Sequence, residues 1–221
     1  MNTQIKLILS ATVVAATLGS SAAFAGASAN VGATTNYIFR GLEAAAGRGA
    51  VSGGVDYEMN NGFSVGTWAS TTDASADGTG YEVDLYGSYG GKISEAVGYS
   101  VGATSYQYPG TKGLGNSSHL EEINLGLSFG IVEATAAIGV GSNNKDYDYF
   151  SLSAGKEFNG IALGGTIGKG DFGGGNDYTH VQLSAGKGDF TLALDKASGD
   201  QLNNDAEDVK VSLSYGHSFD Y

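Results

Sequence analysis

The stretch that decides the fold covers residues 209–221 and reads Val-Lys-Val-Ser-Leu-Ser-Tyr-Gly-His-Ser-Phe-Asp-Tyr. Apart from His217, every second residue from Val209 to Tyr221 is apolar or aromatic, and the residues between them are polar or glycine. Because successive side chains of a strand point to opposite faces of a sheet, this period of two indicates a strand with one apolar and one polar face.

The same period of two recurs along the chain. The first alternating segment runs from Ala29 to Arg40, with Tyr37 and Phe39 on its apolar face. With these segments counted, the sequence predicts an all-β chain of about 12 strands, within a range of roughly 10–14. The remaining segments cover residues 51–57, 63–69, 81–85, 97–103, 123–129, 132–140, 150–154, 161–167, 181–185 and 190–194.

The connections between these segments alternate in length. Short turns fall at residues 60–62, 91–96, 129–131, 158–160 and 187–189, and longer polar loops at 41–49, 71–80, 109–119, 141–146, 169–176 and 197–207. Short periplasmic turns that alternate with longer extracellular loops are typical of a bacterial outer-membrane barrel. Such strands must close into a barrel, because lipid offers no partner for an unpaired backbone group.

A secreted, soluble β-sandwich is the alternative architecture, since its strands alternate as well. A sandwich needs bulky apolar side chains to fill a dry core. Here the apolar face is mixed with alanine, and the opposite face is largely Ser, Thr, Gly and Asn, as in a water-filled lumen. Aromatic residues near the predicted strand ends also suit the two interfacial girdles of a barrel. They are Tyr37, Phe39, Tyr57, Phe63, Tyr81, Tyr108, Phe129, Tyr149, Phe150, Phe158 and Phe190.

Composition excludes several other classes of protein. The 221 residues include 37 Gly but show no Gly-X-Y period, which excludes collagen. No Cys is present, so disulfide scaffolds and zinc-thiolate sites are excluded. A formal net charge of −12 argues against a nucleic-acid partner, because such proteins carry a basic face.

The N-terminus has the three parts of an export signal. One basic residue, Lys6, precedes an apolar segment at residues 7–18, and Ala23-Phe24-Ala25 forms a small-x-small cleavage site. We therefore expect residues 1–25 to be a cleaved signal peptide and residues 26–221 to form the barrel. This predicts export through the periplasm of a Gram-negative cell to its outer membrane.

The end of the last predicted strand carries a second targeting pattern. Gly216, Phe219 and Tyr221 form a Gly-x-x-apolar-x-aromatic sequence after a full alternating segment. This pattern resembles the terminal signal by which the barrel-assembly machinery recognises outer-membrane barrels. We expect these three residues to act as an assembly signal.

Several segments together resemble one known family. The residues are Asn-Tyr-Ile-Phe-Arg-Gly at 36–41, Gly-Gly-Val-Asp-Tyr at 53–57, Gly-Phe-Ser-Val-Gly-Thr-Trp-Ala-Ser at 62–70, Glu-Val-Asp-Leu-Tyr-Gly at 82–87 and Tyr-Gln-Tyr-Pro-Gly at 106–110. They look like the opening of the TorF family of porins. The resemblance implies an outer-membrane barrel that acts as a porin, and it implies no particular substrate.

The polar face of the predicted strands supplies candidate lumen residues. If the apolar face meets lipid, six acidic and two basic side chains face the lumen. Acidic groups in a narrow passage enrich cations, which predicts a weakly cation-selective pore. Alternatively, Arg40 pairs with a lumen carboxylate and braces the wall. The eight residues are Arg40, Asp56, Glu58, Glu82, Asp84, Glu133, Asp195 and Lys210.

Candidate catalytic residues are few. His180 and Ser184 share the lumen face but lie ~13 Å apart along one strand, too far for a Ser-His pair. His217 falls on the lipid-facing side, where an interfacial role is expected. The acidic loops at 146–148 and 203–208 offer oxygen ligands for Ca²⁺ but lack EF-hand spacing. We expect no enzyme activity, no cofactor and no resident metal.

Two functions therefore remain from the sequence. The first is a porin for passive diffusion of small hydrophilic solutes through a lumen lined by small residues. The second is a non-conducting surface barrel whose acidic loops serve adhesion or contact lipopolysaccharide or divalent ions. About 12 strands lie between small filled barrels and wide porins, so the strand number alone does not separate the two functions. In both cases outer-membrane lipids and lipopolysaccharide are the expected surroundings.

Overall fold

The computed structural model describes residues 26–73, 80–109, 118–141, 146–199, 202 and 207–221. The predicted signal peptide lies outside the described residues, so its cleavage stays a prediction. The strands of the described part are β1 (Gly26–Thr34), β2 (Ile38–Phe39), β3 (Leu42–Glu43), β4 (Ala50–Glu58), β5 (Phe63–Thr71), β6 (Tyr81–Lys92), β7 (Val97–Tyr108), β8 (Ser118–Phe129), β9 (Val132–Gly139), β10 (Asp148–Phe158), β11 (Ile161–Asp171), β12 (Asp177–Lys187), β13 (Phe190–Ser198) and β14 (Lys210–Asp220).

Twelve of these strands form one closed antiparallel barrel, and β2 and β3 form a separate small hairpin. Each barrel strand pairs with its neighbours in the chain. The first and last strands close the ring, since Ala29 pairs with Phe219 and Gly32 with Gly216. A closed barrel leaves no unpaired edge. The prediction of an all-β barrel with about 12 strands is confirmed.

The two faces of the barrel differ as the period of two requires. Large apolar side chains on the outer face are about half exposed, such as Leu85 at 53%, Leu183 at 59% and Val211 at 54%. Side chains at the alternate positions point inward and are mostly Ser, Thr, Gly, Asn or acidic. No helix in the described ranges is long and apolar enough to cross a membrane.

The turns divide into two sets, at opposite ends of the barrel. At the short-turn end, Asn159 and Gly160 join β10 to β11 with φ angles of 51° and 76°. Two successive positive φ angles suit a tight hairpin turn, and Asn-Gly is the pair that adopts them at least cost. The long loops lie at the other end. The segment that contains the β2–β3 hairpin also joins β1 and β4 there. We call these the short-turn end and the loop end.

The first strand is shorter than the sequence predicted. We expected it to continue to Arg40, but β1 ends at Thr34. Arg40 and Gly41 have φ angles of 51° and 83°, in the left-handed region, and form the turn between β2 and β3. The alternating sequence pattern beyond Thr34 does correspond to a strand at residues 38–39. This strand is not part of the barrel wall.

Four of the aromatic residues assigned to the girdles were placed wrongly, two of them beyond the end of β1 and two on inward positions of β7 and β10. Tyr37, Phe39, Tyr108 and Tyr149 lie inside the barrel, and Tyr37 and Tyr149 are only 3% and 6% exposed. The other seven lie on the outer face near strand ends, with exposures between 46% and 67%. They are Tyr57, Phe63, Tyr81, Phe129, Phe150, Phe158 and Phe190.

Candidate functional site

The connection between β1 and β4 folds into the lumen. We call residues 35–49 the inserted loop. In the ring of strands, β1 and β4 are neighbours, and β9 and β10 lie directly opposite them. The tip of the inserted loop, around Arg40, contacts β8 and β10. The loop therefore spans the full width of the barrel.

Arg40, at the tip of the loop, is held by Glu122, Tyr149 and Tyr106 on the far wall. We call these three wall residues the seat. Its two terminal nitrogens donate to the two carboxylate oxygens of Glu122, both at 2.8 Å. The guanidinium carbon lies 4.7 Å from the ring centroid of Tyr149 and 4.6 Å from that of Phe39. Tyr106 donates its hydroxyl to the same Glu122 carboxylate at 3.1 Å. A bidentate charge pair combined with aromatic faces is the strongest arrangement available to arginine.

Tyr37 fixes the side of the inserted loop that faces β5 and β6. Its hydroxyl donates to Oε1 of Glu82 at 3.0 Å, and its ring packs edge-on against Trp68 at 5.9 Å between centroids. Burial raises the pKa of Tyr37 well above its usual range, and the nearby Glu82 carboxylate adds to the effect. The hydroxyl therefore stays protonated and remains a donor.

His180 on β12 supports the opposite side of the tip. A side chain at Gly41 would collide with the Cβ and ring of His180, so only glycine fits this close approach. Nε2 of His180 shares a hydrogen bond with the Tyr149 hydroxyl at 2.8 Å. These two side chains meet above Gly168 of the intervening strand, where a Cβ would collide with both.

Two charged contacts hold the base of the inserted loop. Arg48 donates to Asp73, just beyond the end of β5, at 2.5 Å. Glu43 accepts a hydrogen bond from Asn36 within the loop at 2.7 Å and lies 3.9 Å from Nζ of Lys210 on β14. The loop is thus tied to strands on both sides of the lumen.

The inserted loop lies in the half of the lumen where the inward residues of the strands are buried. In the half of the barrel nearest the long loops, every barrel strand except β1 has at least one buried residue on its inward face. The inward positions buried in this way include Ala50, Ser70, Asp84, Tyr106, Glu122, Ala137, Tyr149, Gly170, Tyr178, Asp195 and Ser212. At this end the lumen therefore contains the inserted loop in addition to the small inward residues of the strands.

The short-turn half of the lumen is different in character. Its inward residues are small, hydroxylated and partly exposed, and they form cross-strand hydroxyl pairs such as Ser64 with Ser88 at 2.7 Å. We call this half the vestibule. Tyr86 reaches across Gly66 to donate its hydroxyl to Asp56 at 2.6 Å. The polar lining and its partial exposure indicate a water-filled space.

Several buried polar atoms around the inserted loop are not satisfied. Both carboxylate oxygens of Asp84 lack a hydrogen-bond partner within the described residues, and Asp84 is fully buried. The same is true of Nδ1 of His180, Nε of Arg40, Oδ1 of Asn36 and Oδ2 of Asp195. A permanently closed core seldom leaves so many buried polar atoms without partners.

The eight residues selected from the sequence fall into three groups. Asp56, Glu58 and Glu133 lie on inward positions of the vestibule and are partly or fully exposed. Glu82, Asp84 and Asp195 are 5%, 0% and 1% exposed beside the inserted loop, and Asp195 accepts a hydrogen bond from Gln182 at 2.8 Å. Arg40 and Lys210 are drawn into contacts with Glu122 and Glu43, which matches the bracing alternative for Arg40.

The remaining candidates lie apart from the lumen or from one another. His217 is on the outer face, 43% exposed, with Nδ1 at 3.0 Å from Asp189 in a short turn. Phe219 and Tyr221 are exposed, and the Tyr221 backbone donates to Ala27 at 2.9 Å. No three acidic or histidine side chains in the described ranges converge enough to hold a metal ion. Residues 203–206 of one proposed Ca²⁺ loop lie outside those ranges.

Sequence reasoning missed the most important wall residue, Glu122. It has the same inward parity as Asn124 and Ser128 on β8, so the rule that selected Glu82 and Asp84 would have found it. The seat that Glu122 forms with Tyr149 and Tyr106 had no local signal, because its members are on three different strands.

Comparison with known proteins supplies a family and a shared fold. Residues 18–212 match the model of a family described as "Bacterial protein of unknown function (Gcw_chp)". The chain belongs to the Gcw_chp family. A comparison with curated proteins found no match. The resemblance to the TorF porins stays a prediction, since the matching family model carries no function.

Three solved structures are similar to this Gcw_chp protein. The KdgM porin is similar with a TM-score of 0.52 and 8% identity, over 88% of this chain and 99% of that one. OccD3 of Pseudomonas aeruginosa gives a TM-score of 0.45 and 12% identity, over 88% and 65% of the two chains. OccAB2 of Acinetobacter baumannii gives 0.42 and 10%, over 79% and 55%. The chain thus spans less than two thirds of these last two proteins.

Proposed function

We propose that this Gcw_chp protein is an outer-membrane channel for passive diffusion of small hydrophilic solutes, in which the inserted loop closes the loop end. The observation that carries the proposal is the polar vestibule ending at a plug whose tip is held on the wall by charged and hydroxyl groups, beside a small apolar cluster that includes Tyr37 and Trp68. An apolar plug would form a permanent core. A plug seated on charges and hydroxyls exchanges those contacts for water when it moves, so it is suited to opening.

The surroundings of the barrel follow from its outer face. Half-exposed Leu, Val, Ile and Phe side chains cover that face. This surface is stable in contact with lipid. The closed barrel pairs the backbone hydrogen-bonding groups that lipid cannot satisfy. We propose the outer membrane, with its lipids and lipopolysaccharide, as the location, and the barrel-assembly machinery as the partner that inserts the chain.

A weak preference for cations belongs to the same proposal. The vestibule carries Asp56, Glu58 and Glu133 on inward positions. Of the two basic residues proposed for the lumen, Arg40 is paired with Glu122, and Lys210 lies near Glu43. The fixed charge that faces the vestibule is therefore negative, which attracts cations over about 10 Å at 0.1 M salt.

Planar-bilayer recordings test this function. Folded protein should give stepwise currents, and the zero-current potential in a KCl gradient should indicate a cation preference that falls as the salt concentration rises. The triple variant Asp56→Asn, Glu58→Gln, Glu133→Gln should shift that potential toward anions. Glu82→Gln with Asp84→Asn should shift it less while the loop is seated, because both side chains are buried. An anion preference in the unmodified protein would contradict the assignment of these charges.

The same recordings test the non-conducting alternative. If repeated insertions of folded protein give no current, and removal of the inserted loop does not produce one, the surface-barrel function replaces the channel.

A further inference from the structure

We propose that the seat of Arg40 is a binding site for guanidinium-bearing solutes, and that Arg40 occupies it as a tethered ligand of the chain itself. The proposal deepens the channel function above and rests on it for its biological role. The site itself is defined by wall residues only: Glu122, Tyr106 and Tyr149, with Asp84 nearby.

The seat has the chemistry that recognises a guanidinium group. Glu122 is 3% exposed and presents both carboxylate oxygens to the two terminal nitrogens of Arg40. Tyr106 donates to Glu122 and so fixes its orientation. The Tyr149 ring lies against the guanidinium face, and its hydroxyl is itself fixed by His180. A carboxylate that accepts two parallel hydrogen bonds beside aromatic rings matches the planar guanidinium group better than it matches a compact ammonium group.

The wall at the seat has more than one carboxyl group beside the single guanidinium of Arg40. Asp84 on β6 pairs in register with Tyr106 on β7, so its side chain lies on the same inward face as the seat. Asp84 is fully buried, and neither of its carboxylate oxygens has a hydrogen-bond partner within the described residues. Nε of Arg40 also lacks a hydrogen-bond partner within the described residues. The wall therefore offers a guanidinium group a second carboxyl group that Arg40 does not use.

Arg40 reaches the seat from a loop and not from the wall. Within the described residues, its guanidinium contacts Glu122, Tyr149, Tyr147 and Phe39, and of these only Phe39 belongs to the inserted loop. When the loop leaves the lumen, Glu122, Tyr106 and Tyr149 remain on their strands. The open channel therefore presents an empty guanidinium site on its wall.

Competition with Arg40 makes the site measurable. A solute that enters the seat must displace a tethered side chain, whose effective concentration is of the millimolar order for a short flexible connection. Removing Arg40 removes this competitor, so the variant should bind a free guanidinium at least about tenfold more tightly than the unmodified protein. Removing Glu122 as well should abolish that gain.

The test is calorimetric titration of the folded, full-length protein with methylguanidinium chloride at fixed ionic strength. Methylurea is the matched uncharged probe, because it has nearly the same shape. We expect saturable binding of methylguanidinium to Arg40→Ala, no binding of methylurea, and loss of binding in Arg40→Ala with Glu122→Gln. Arg40→Ala with Glu121→Gln is the control, because Glu121 is the adjacent carboxylate on the outer face. Equal binding in these two double variants, or equal binding of methylurea, would overturn the site.

A second readout uses the unmodified protein, in case Arg40→Ala does not fold. Trp68 is the only tryptophan of the chain and packs against Tyr37 of the inserted loop. Methylguanidinium should change its emission saturably, and methylurea should not. No difference between the two probes would overturn the site. If methylguanidinium binds but no variant conducts, the channel function fails and the guanidinium site stands. If currents appear without binding of methylguanidinium, the site fails and the channel function stands.

Discussion

At the residue scale, the pair between Arg40 and Glu122 holds the inserted loop. Both side chains are almost fully buried, at 6% and 3% exposure. Removing one partner of a buried pair leaves the other charge without compensation, at a cost of about 3–5 kcal/mol. Arg40→Gln should therefore unseat the loop tip, and quenching of Trp68 by acrylamide should increase.

The control for that variant is Lys169→Gln. Lys169 and Asp177 form an ion pair at 2.6 Å near the loop end, but both side chains are about half exposed on the outer face. Exposed pairs contribute little, so quenching should be unchanged. Equal quenching in Arg40→Gln and the unmodified protein would show that Arg40 does not hold the loop.

Gly168 offers a second test at the residue scale. A Cβ at this position would collide with Nε2 of His180 and the hydroxyl of Tyr149, whose bond supports the seat. Gly168→Ala should lower the stability of the folded barrel by roughly 1–3 kcal/mol, the usual cost of overpacking. Gly165→Ala is matched on the same strand, because a Cβ there makes only ordinary contacts. A thermal unfolding midpoint that is lower in both variants would contradict the steric reason.

At the element scale, the sequence predicted the barrel strands well and the inserted loop poorly. Strands such as β14 have their period of two set locally, since each side chain must face either lipid or the lumen. Residues 35–40 continue that period, so nothing local separates them from a wall strand. Their departure from the wall depends on Glu82, Glu122 and His180, which are 45 or more positions further along the chain than the loop residues they meet. Contacts of this kind have no sequence pattern of their own.

The last strand carries a prediction of its own. β14 closes the ring through β1, and Phe219 pairs with Ala29. Deletion of residues 219–221 removes part of this closure together with two of the three residues of the proposed assembly signal. We expect unassembled, degraded protein, measured as the amount in purified outer membranes. Normal amounts of the truncated protein would show that these residues are not needed for assembly.

At the scale of the whole molecule, ring closure predicts resistance to detergent. All twelve barrel strands are paired on both edges, so no edge is open to local unfolding. Unheated and boiled samples taken from membranes should migrate differently on a denaturing gel. Identical migration would count against a closed barrel.

Lumen shape could be predicted only in part from the sequence. The polar lining of the vestibule follows from the small inward residues of strands such as β10 and β11, where Ser153 pairs with Thr166 at 2.9 Å. Closure at the loop end does not follow from those residues, because the inserted loop belongs to a different part of the chain than the strands that it contacts. The acidic residues near the plug were selected by strand parity, but their burial depends on the inserted loop.

If the inserted loop closes a channel, removal of that loop should open the lumen. Thr34 pairs in register with Ala50, so a two-residue Asn-Gly turn in place of residues 35–49 can join β1 to β4 as a hairpin. Single-channel conductance in planar bilayers is the measurement, with the loop at residues 172–176 shortened as the control. We predict a conductance several-fold larger without the inserted loop and unchanged in the control. Equal conductance with and without residues 35–49, in protein that still shifts on heating, would contradict the account.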